Sequence, residues 1–543
     1  MAERPPLVLD FGAFAQPPSP LFRDYLQGGA GVAPFYEGAR FDLASIAAAA
    51  ERAASHPRDR KAVAEALAEQ QRARGADAAA CEALRLADPR AAAVVTGQQA
   101  VLFGGPLYVL YKAVAAMKVA ALLEARRGAP VIPVFWVASD DHDFAEIRQA
   151  TLLDGEGRLR ALRYAPEVEP VGQPAARIVL DATIDALLDE LDECLPASLH
   201  HDRCVERVRA AYRPGESISG AFARLLSGLL PGLVVMDPSD RALKTLMRPV
   251  LEREVREASP TSRLAATAGP ALLAAGYHQQ VPVRDGFLNL FGYVDGERRA
   301  LGLRDGRVEV RGTSRLIPSE EMLSRIAREP ESFSPGVLLR PLAQDLLLPT
   351  AAYVGGPAEI AYHAQIGPSY AHFGLPRPVL LPRPSLALVE PAQARALDAE
   401  GLSLQDLEGD PEALLARWAR AAYPEVESAF ASAREAVARE LVAIEARLGA
   451  LDPTLRAAAD SARGRALHQI DTLHEKATRA LKKRDQSRAE RLRRTRDALF
   501  PGGALQERGL GLVGPLARHG QPLVEQVRER MDPWAQGHQV VFL

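Results

Sequence analysis

Residues 94–113 read VVTGQQAVLFGGPLYVLYKA. An apolar run ends in Thr96-Gly97, and a Gly104-Gly105-Pro106 step follows. Leu107, Leu110, Val114, Met117 and Ala121 then recur every three or four residues, which paints one apolar helical stripe. Pro106 suits the first helical position, where its missing N–H costs nothing, and Gly128 ends the helix. Residues 131–138 are almost continuously apolar, the pattern of a parallel strand covered on both faces, with Pro133 near its start. Strand, helix and strand in this space form a βαβ unit. A parallel pair cannot be closed by a hairpin, so the rest of the fold must supply further crossovers and helices on both faces.

The same punctuation returns. GLVVMDPSD (232–240) reads as a strand ending at Asp237-Pro238. TAAYVGGPAEIAYHAQIGPSY (350–370) reads as strand, Gly355-Gly356-Pro357 corner and helix, and RPVLLPRPSLALVE (377–390) as one more strand with a proline-containing rim. These pieces predict a Rossmann-like parallel sheet of the α/β class, assembled from distant parts of the chain. An Ala-, Glu- and Arg-rich helical pair precedes it at 41–90. The β-like stretches LRALRYAP and ARIVLD fall between 155 and 215, and hairpin units with Asp-Gly at 285–286, 295–296 and 305–306 between 276 and 335. The expected division is an N-terminal helical segment 1–90, core parts 91–154, 216–275 and 336–390, insertions 155–215 and 276–335, a helical arm 391–500 and a tail 501–543 on the core. The arm rests on Phe430, Val437, Leu441, Ile444, Leu448 and Leu451 at heptad spacings, a break at Pro453, and a second helix to about 498. It predicts an antiparallel coiled coil able to pair with a second copy.

Composition sets limits. With 543 residues, 48% hydrophobic, 25% charged and net charge −3, the chain fits a soluble globular protein with no global pull toward nucleic acid or membrane. The start MAERPPLVLDFGAF lacks a signal-peptide pattern, and no apolar run reaches membrane-span length. Cys81, Cys194 and Cys204 show neither disulfide nor zinc-ribbon spacing. His200, His201 and Cys204 lack further ligands nearby, so no metal is expected. A cytoplasmic location follows as the expectation. The basic run 481–496 reads as a solvated helix face, without the aromatic interleaving of a nucleic-acid binder.

Ligands of open α/β sheets sit beyond the carboxyl ends of the strands. Three loops lie there. Thr96, Gly97, Gln98, Gln99 and the helix start at Gly105 offer backbone and amide groups, with Tyr108 and Lys112 one turn apart on the helix. Lys112 would neutralise a carboxylate or phosphate. Ser139, Asp140, Asp141, His142 and Asp143 crowd carboxylates round an imidazole, as acid–base sites do, though one of the aspartates would also cap the next helix. Gly355, Gly356 and Glu359 would shape the other side of the cleft, and Tyr277-His278-Gln279-Gln280 a lid. All three loops are expected to open into one hollow.

TGQQ…GPLYVLYKA (96–113), PVFWVASDDHDFAEI (133–147) and YVGGPAEIAYHAQ (353–365) resemble the bacillithiol synthase family, the cysteine ligases called BshC. The family pattern has glycine where this chain has Val101, and Gly-Glu where it has Ser139-Asp140. The resemblance implies joining L-cysteine to glucosaminyl malate by an amide bond, and a homodimer formed through the coiled coil. The core is similar to that of class I aminoacyl-tRNA synthetases, which implies ATP as the activating cosubstrate; Arg383 stands where their lysine-rich loop would lie. Asp141, His142 and Asp143 would then be catalytic, deprotonating the attacking amine. Two other readings stay open: another ATP-dependent nucleotidyltransferase-like ligase, and a non-enzymatic dimeric binding protein.

Overall fold

A computed structural model describes residues 7–14, 17–37, 41–283 and 286–543. Five buried strands form the central sheet: β1 (Ala92–Gln98), β2 (Val131–Val137), β3 (Val234–Met236), β4 (Thr350–Gly355) and β5 (Val379–Pro382). Their order is β5-β4-β1-β2-β3, all parallel. Every residue of β2, β4 and β5 is buried, as runs without polar alternation require. Pro133 lies opposite Val94, one residue before β3 begins to pair at Val134. The chain leaves β1 toward β2 on one side and β4 toward β5 on the other. The order therefore reverses between β1 and β4, and a crevice forms at their carboxyl ends.

Helix α1 (Leu107–Arg127) joins β1 to β2. Pro106 is its N-cap rather than its first helical residue, and Gly128 closes it in the left-handed conformation with φ 63°. Residues 41–90 hold three α-helices, Leu43–Ser55, Arg60–Ala73 and Asp77–Leu84, where a pair was expected. Asp59 caps the second by accepting from Ala62 N, which divides the alanine-rich run.

Between β2 and β3 lie a hairpin, Gln149–Leu153 with Leu159–Arg163, and four α-helices, the first of them the short Phe144–Ile147. The ARIVLD stretch is no strand: Ala175–Arg177 is a 3-10 turn and Val179 makes one isolated bridge to Ser217. Between β3 and β4 follow α2 (Arg241–Arg256), Pro260–Ala274 and an antiparallel five-stranded sheet ordered Leu316–Pro318, Arg307–Val310, Glu297–Arg304, Phe287–Val294, Phe333–Pro335. Asp295 and Gly296 have φ 54° and 82°, Asp305 and Gly306 50° and 73°. Positive φ at both positions is the tight-hairpin conformation that Asp-Gly favours. Asp285, half of the remaining Asp-Gly pair, lies outside the described residues. The expected single strand at 377–390 divides. Val379–Pro382 stays in the central sheet, while Ser385–Val389 joins a separate sheet beside His538–Phe542, with Leu7–Leu9 beyond. Two prolines, Pro382 and Pro384, remove the donors that one continuous ladder would need.

Two compact units result, 1–388 with 506–543, and 389–505. The second unit is helical. Its helices α4 (Pro424–Leu451) and α5 (Leu455–Arg484) run antiparallel. Cross-helix pairs fix the register: Phe430 stacks on His474 at 4.6 Å, His474 pairs with Glu427 at 2.6 Å, and Arg463 with Glu445 at 2.6 Å. The second helix ends at Arg484 instead of running to 498. Asp485 interrupts it, accepting from Tyr423 Oη at 2.7 Å, and α6 (Gln486–Leu499) follows. No described helix is long and apolar enough to cross a membrane.

Candidate functional site

A cavity of 740 Å³ opens at the crevice between β1 and β4. Gly97 ends its floor. A side chain there would meet Trp136 O at 2.8 Å, so glycine lets β1 pack against β2 at the sheet rim. Gly97 O accepts from Lys112 Nζ at 2.7 Å, and Gln98 Oε1 accepts from the same nitrogen at 3.2 Å. Across the crevice helix α3 (Pro357–His363) follows the second glycine corner. Its Glu359 meets Lys112 at 2.5 Å and also accepts from Tyr353 Oη at 2.6 Å and Gly356 N at 2.7 Å. The Lys112 side chain is 1% exposed. Burial pulls its ammonium below the ordinary value, opposed by the Glu359 charge. Burial pushes the Glu359 carboxyl up, but Lys112 and the two donors outweigh it, so the group lies below the ordinary range and stays ionised.

Cations line the walls. Arg340 lies over the rings of Trp136 and Tyr353 at 5.7 and 5.4 Å and donates to Tyr362 Oη at 3.0 Å. It has no carboxylate within ion-pair distance among the described residues. Arg383 sits over Tyr108 at 4.9 Å and pairs with the buried Glu507 at 2.7 Å. Its Nη1 is buried without a hydrogen-bond partner, an opening for an oxyanion. Arg508 also lines the cavity. The remaining carboxylate is Glu146, whose Oε2 accepts from Gln99 Nε2 at 2.9 Å. His278 and Gln280 reach the rim, and Gln365 pins that segment through Val281 N and O at 2.8 and 3.0 Å. Tyr277 is an anchor instead, donating to Asp24 at 2.7 Å.

Of the residues singled out from sequence, Gly97, Gln98, Gln99, Tyr108, Lys112, Gly356 and Glu359 line this cavity. Thr96 does not: it is buried and donates to Val354 O at 2.9 Å, stitching β1 to β4. Gly355 also lies just off the lining, with its carbonyl accepting from Arg383 N at 2.8 Å. Gly105 is turned away. Its φ is 73°, a side chain would strike Val101 and Val109 at 3.2 Å, and its carbonyl accepts from Leu512 N at 3.0 Å. Leu107 N donates to Leu510 O at 2.9 Å, so the start of α1 is covered by the chain's own later segment and offers no anion site.

The Ser139–Asp143 loop departs from the expected shared hollow. Ser139 is buried and donates to Asp237 at 2.5 Å. Asp140 pairs with the buried Lys244 at 2.6 Å. Asp141 holds Gln99 at 2.6 Å. Asp143 caps the short helix Phe144–Ile147. His142 Nδ1 lies 2.9 Å from Arg298 Nη1, and burial together with that guanidinium lowers its pKa. A neutral imidazole accepting there is tied to the second insertion. None of these five residues lines the 740 Å³ cavity, although Ala138 and Glu146 on either side of them do. The physical reason is that each polar group is already taken by a neighbouring element. Sequence reasoning missed Arg340, Arg508 and Glu146. Arg340 and Arg508 come from distant elements and carry no local signal, while Glu146 stood within the quoted 133–147 motif. No cluster of metal-ligating side chains occurs among the described residues, at His200 and Cys204 included.

Comparison with known proteins bears on both units. Residues 12–384 match the family model described as bacillithiol biosynthesis BshC, N-terminal Rossmann-like domain, and residues 386–543 match its C-terminal coiled-coil domain. A Salinibacter ruber protein named "Putative cysteine ligase BshC" is 37% identical over 99% of this chain and 97% of its own length. Proteins of the same name from Koribacter versatilis and Heliobacterium modesticaldum are each 36% identical, over 93% and 85% of this chain and 94% and 85% of their own.

Proposed function

The chain belongs to the bacillithiol biosynthesis BshC family, and from that premise we propose that it is a ligase joining the carboxyl group of L-cysteine to the amine of glucosaminyl malate. The observation that carries this reading is a single cavity lined by Arg340, Arg383 and Glu146 together with the Lys112–Glu359 pair. Its volume falls within the range of about 300–1,000 Å³ usual for small-molecule sites. Arg340 has no carboxylate in ion-pair contact among the described residues and Arg383 has a buried nitrogen unpaired, so substrate carboxylates find donors there. ATP, when bound, would supply the group that makes the cysteine carboxyl carbon electrophilic, and the same arginines with Arg508 would hold its phosphates. The amine attacks that carbon; the C–N bond forms as the C–O bond to the activating group breaks, that group leaves with its oxygen, and the amine's proton passes to Glu146. Gln99 orients Glu146 from one side. Lys112 and Glu359 are positioning residues: each neutralises the other and ties the two glycine corners together. A homodimer through α4 and α5, working in the cytoplasm, completes the reading.

The test is reconstitution with cysteine and glucosaminyl malate, with and without ATP, read by mass spectrometry. An amide product that requires ATP supports the proposal. Glu146→Gln is expected to lower kcat by about 10²–10⁴-fold with little change in KM. No product from the folded protein, or full activity in Glu146→Gln, overturns the reading or the base assignment respectively.

A further inference from the structure

A second cavity, of 300 Å³, opens beyond the carboxyl ends of β2 and β3. Asp140 and Ser239 come from those strand ends, Arg177 from the first insertion, Arg298 and Ser334 from the second. Its charges do not balance. Asp140 is neutralised from beneath by Lys244, which is 0% exposed, lies 2.6 Å from Oδ2 and also donates to Phe333 O at 2.9 Å. Arg241 pairs with Glu331. Arg177 and Arg298 then line the cavity with no carboxylate in ion-pair contact among the described residues.

Both guanidinium groups are held flat on aromatic faces. The Arg177 Cζ stands 3.6 Å from the Tyr293 ring centre and the Arg298 Cζ 3.6 Å from that of Phe291. Contact with a ring face leaves N–H groups for planar or tetrahedral oxyanions, on Arg298 those beyond the two bonds it already makes. Arg298 is fixed further by donating to Ser334 Oγ and His142 Nδ1, each at 2.9 Å. Tyr293 is fixed by donating to Gln173. Two guanidinium groups that line one cavity are favoured by an opposite charge placed in it.

We infer that this cavity is a binding site for a small dianion, a dicarboxylate or a phosphoryl group, clamped by Arg177 and Arg298. The volume admits a ligand of that size and excludes a nucleotide. The site requires neither cysteine nor turnover, so it stands or falls apart from the ligase reading.

Isothermal titration of the full chain with inorganic phosphate, succinate and acetate tests it. Either divalent anion binds, more weakly as salt rises, and acetate binds far less well. The tighter of the two identifies the source of the ligand. Arg177→Met and Arg298→Met each weaken binding by about tenfold or more, and Arg298→Lys retains more affinity than Arg298→Met. Arg383→Met, in the larger cavity, removes only anion binding that belongs to that cavity, and the binding lost in Arg177→Met persists in it. Circular dichroism checks folding, and Arg177→Met carries the test if Arg298→Met unfolds. Binding unchanged within about twofold in both Met variants, binding lost in Arg383→Met instead, or no binding of either divalent anion below about 10 mM overturns the inference.

Discussion

Lys112 and Glu359 stand 247 positions apart and meet at 2.5 Å. Neither burial nor pairing can be read from one helix alone, because the partner of each arrives with the other glycine corner. The sequence marked both residues as cleft groups and assigned Lys112 to a ligand. The structure gives it a protein partner. Removing one member leaves the other without its counter-charge at the cavity wall, where Lys112 is 1% and Glu359 23% exposed, which costs about 3–5 kcal/mol for a fully buried pair and less where water reaches the group. Lys112→Met and Glu359→Gln should each lower stability on that scale in chemical denaturation. The double variant should lose clearly less than the sum of the two, since the coupling is then already gone. Strictly additive losses would show that the pair is not coupled. The same logic explains the Ser139–Asp143 loop. Its residue types were legible as a polar cluster, but whether each group faces substrate or a neighbour depends on Lys244, Asp237 and Arg298, none of them near in sequence.

At the scale of elements, legibility followed local chemistry. The Asp-Gly turns at 295–296 and 305–306 were readable because φ > 0 is a property of those residues themselves. The division of 377–390 into two sheets was not, because it depends on a strand that returns at His538–Phe542. The Gln149–Leu153/Leu159–Arg163 hairpin offers a pH test. Asp154 at its turn accepts from Glu156 N at 3.0 Å, Arg158 N at 2.9 Å and Arg158 Nε at 3.0 Å. Burial pushes the Asp154 carboxyl up, but those donors outweigh it and hold it below its ordinary 3.8. A depressed carboxyl contributes stability that is whole above the unfolded value and is lost as pH falls through the native one. Hydrogen exchange, corrected for intrinsic rates, should show the hairpin loosening below about pH 4, and Asp154→Asn should remove that acid dependence. In the coiled coil, Leu441 and Leu448 are half-buried within the unit, while Ile444 and Leu451, one heptad apart, are 46% and 80% exposed. The heptad pattern thus serves two faces, and the second stays exposed among the described residues. Ile444→Glu with Leu451→Glu should convert the proposed dimer to monomer in sedimentation, with helix content kept. An unchanged mass would place any dimer contact elsewhere.

For the whole molecule, the chain leaves the first unit at Leu388 and returns at Gln506. The two residues bond each other twice, Leu388 N to Gln506 Oε1 at 2.8 Å and Gln506 Nε2 to Leu388 O at 2.9 Å. The helical unit is therefore inserted at a closed seam, and the returning segment belongs to the sheet domain. Leu510–Leu512 covers the start of α1, Glu507 holds Arg383 in the cavity wall, and His538–Phe542 lies between Leu7–Leu9 and Ser385–Val389. A chain ending at 388 lacks all three. Replacing 389–505 by a short Gly-Ser linker keeps them, and closing so short a gap carries little entropic cost. The linked form should unfold cooperatively and keep any anion binding at Arg177 and Arg298, read by thermal circular dichroism and titration. The truncated form should melt at markedly lower temperature or fail to fold. Equal melting of the two forms would mean that the returning segment adds nothing to the sheet domain, and that the wall of the larger cavity does not depend on Glu507.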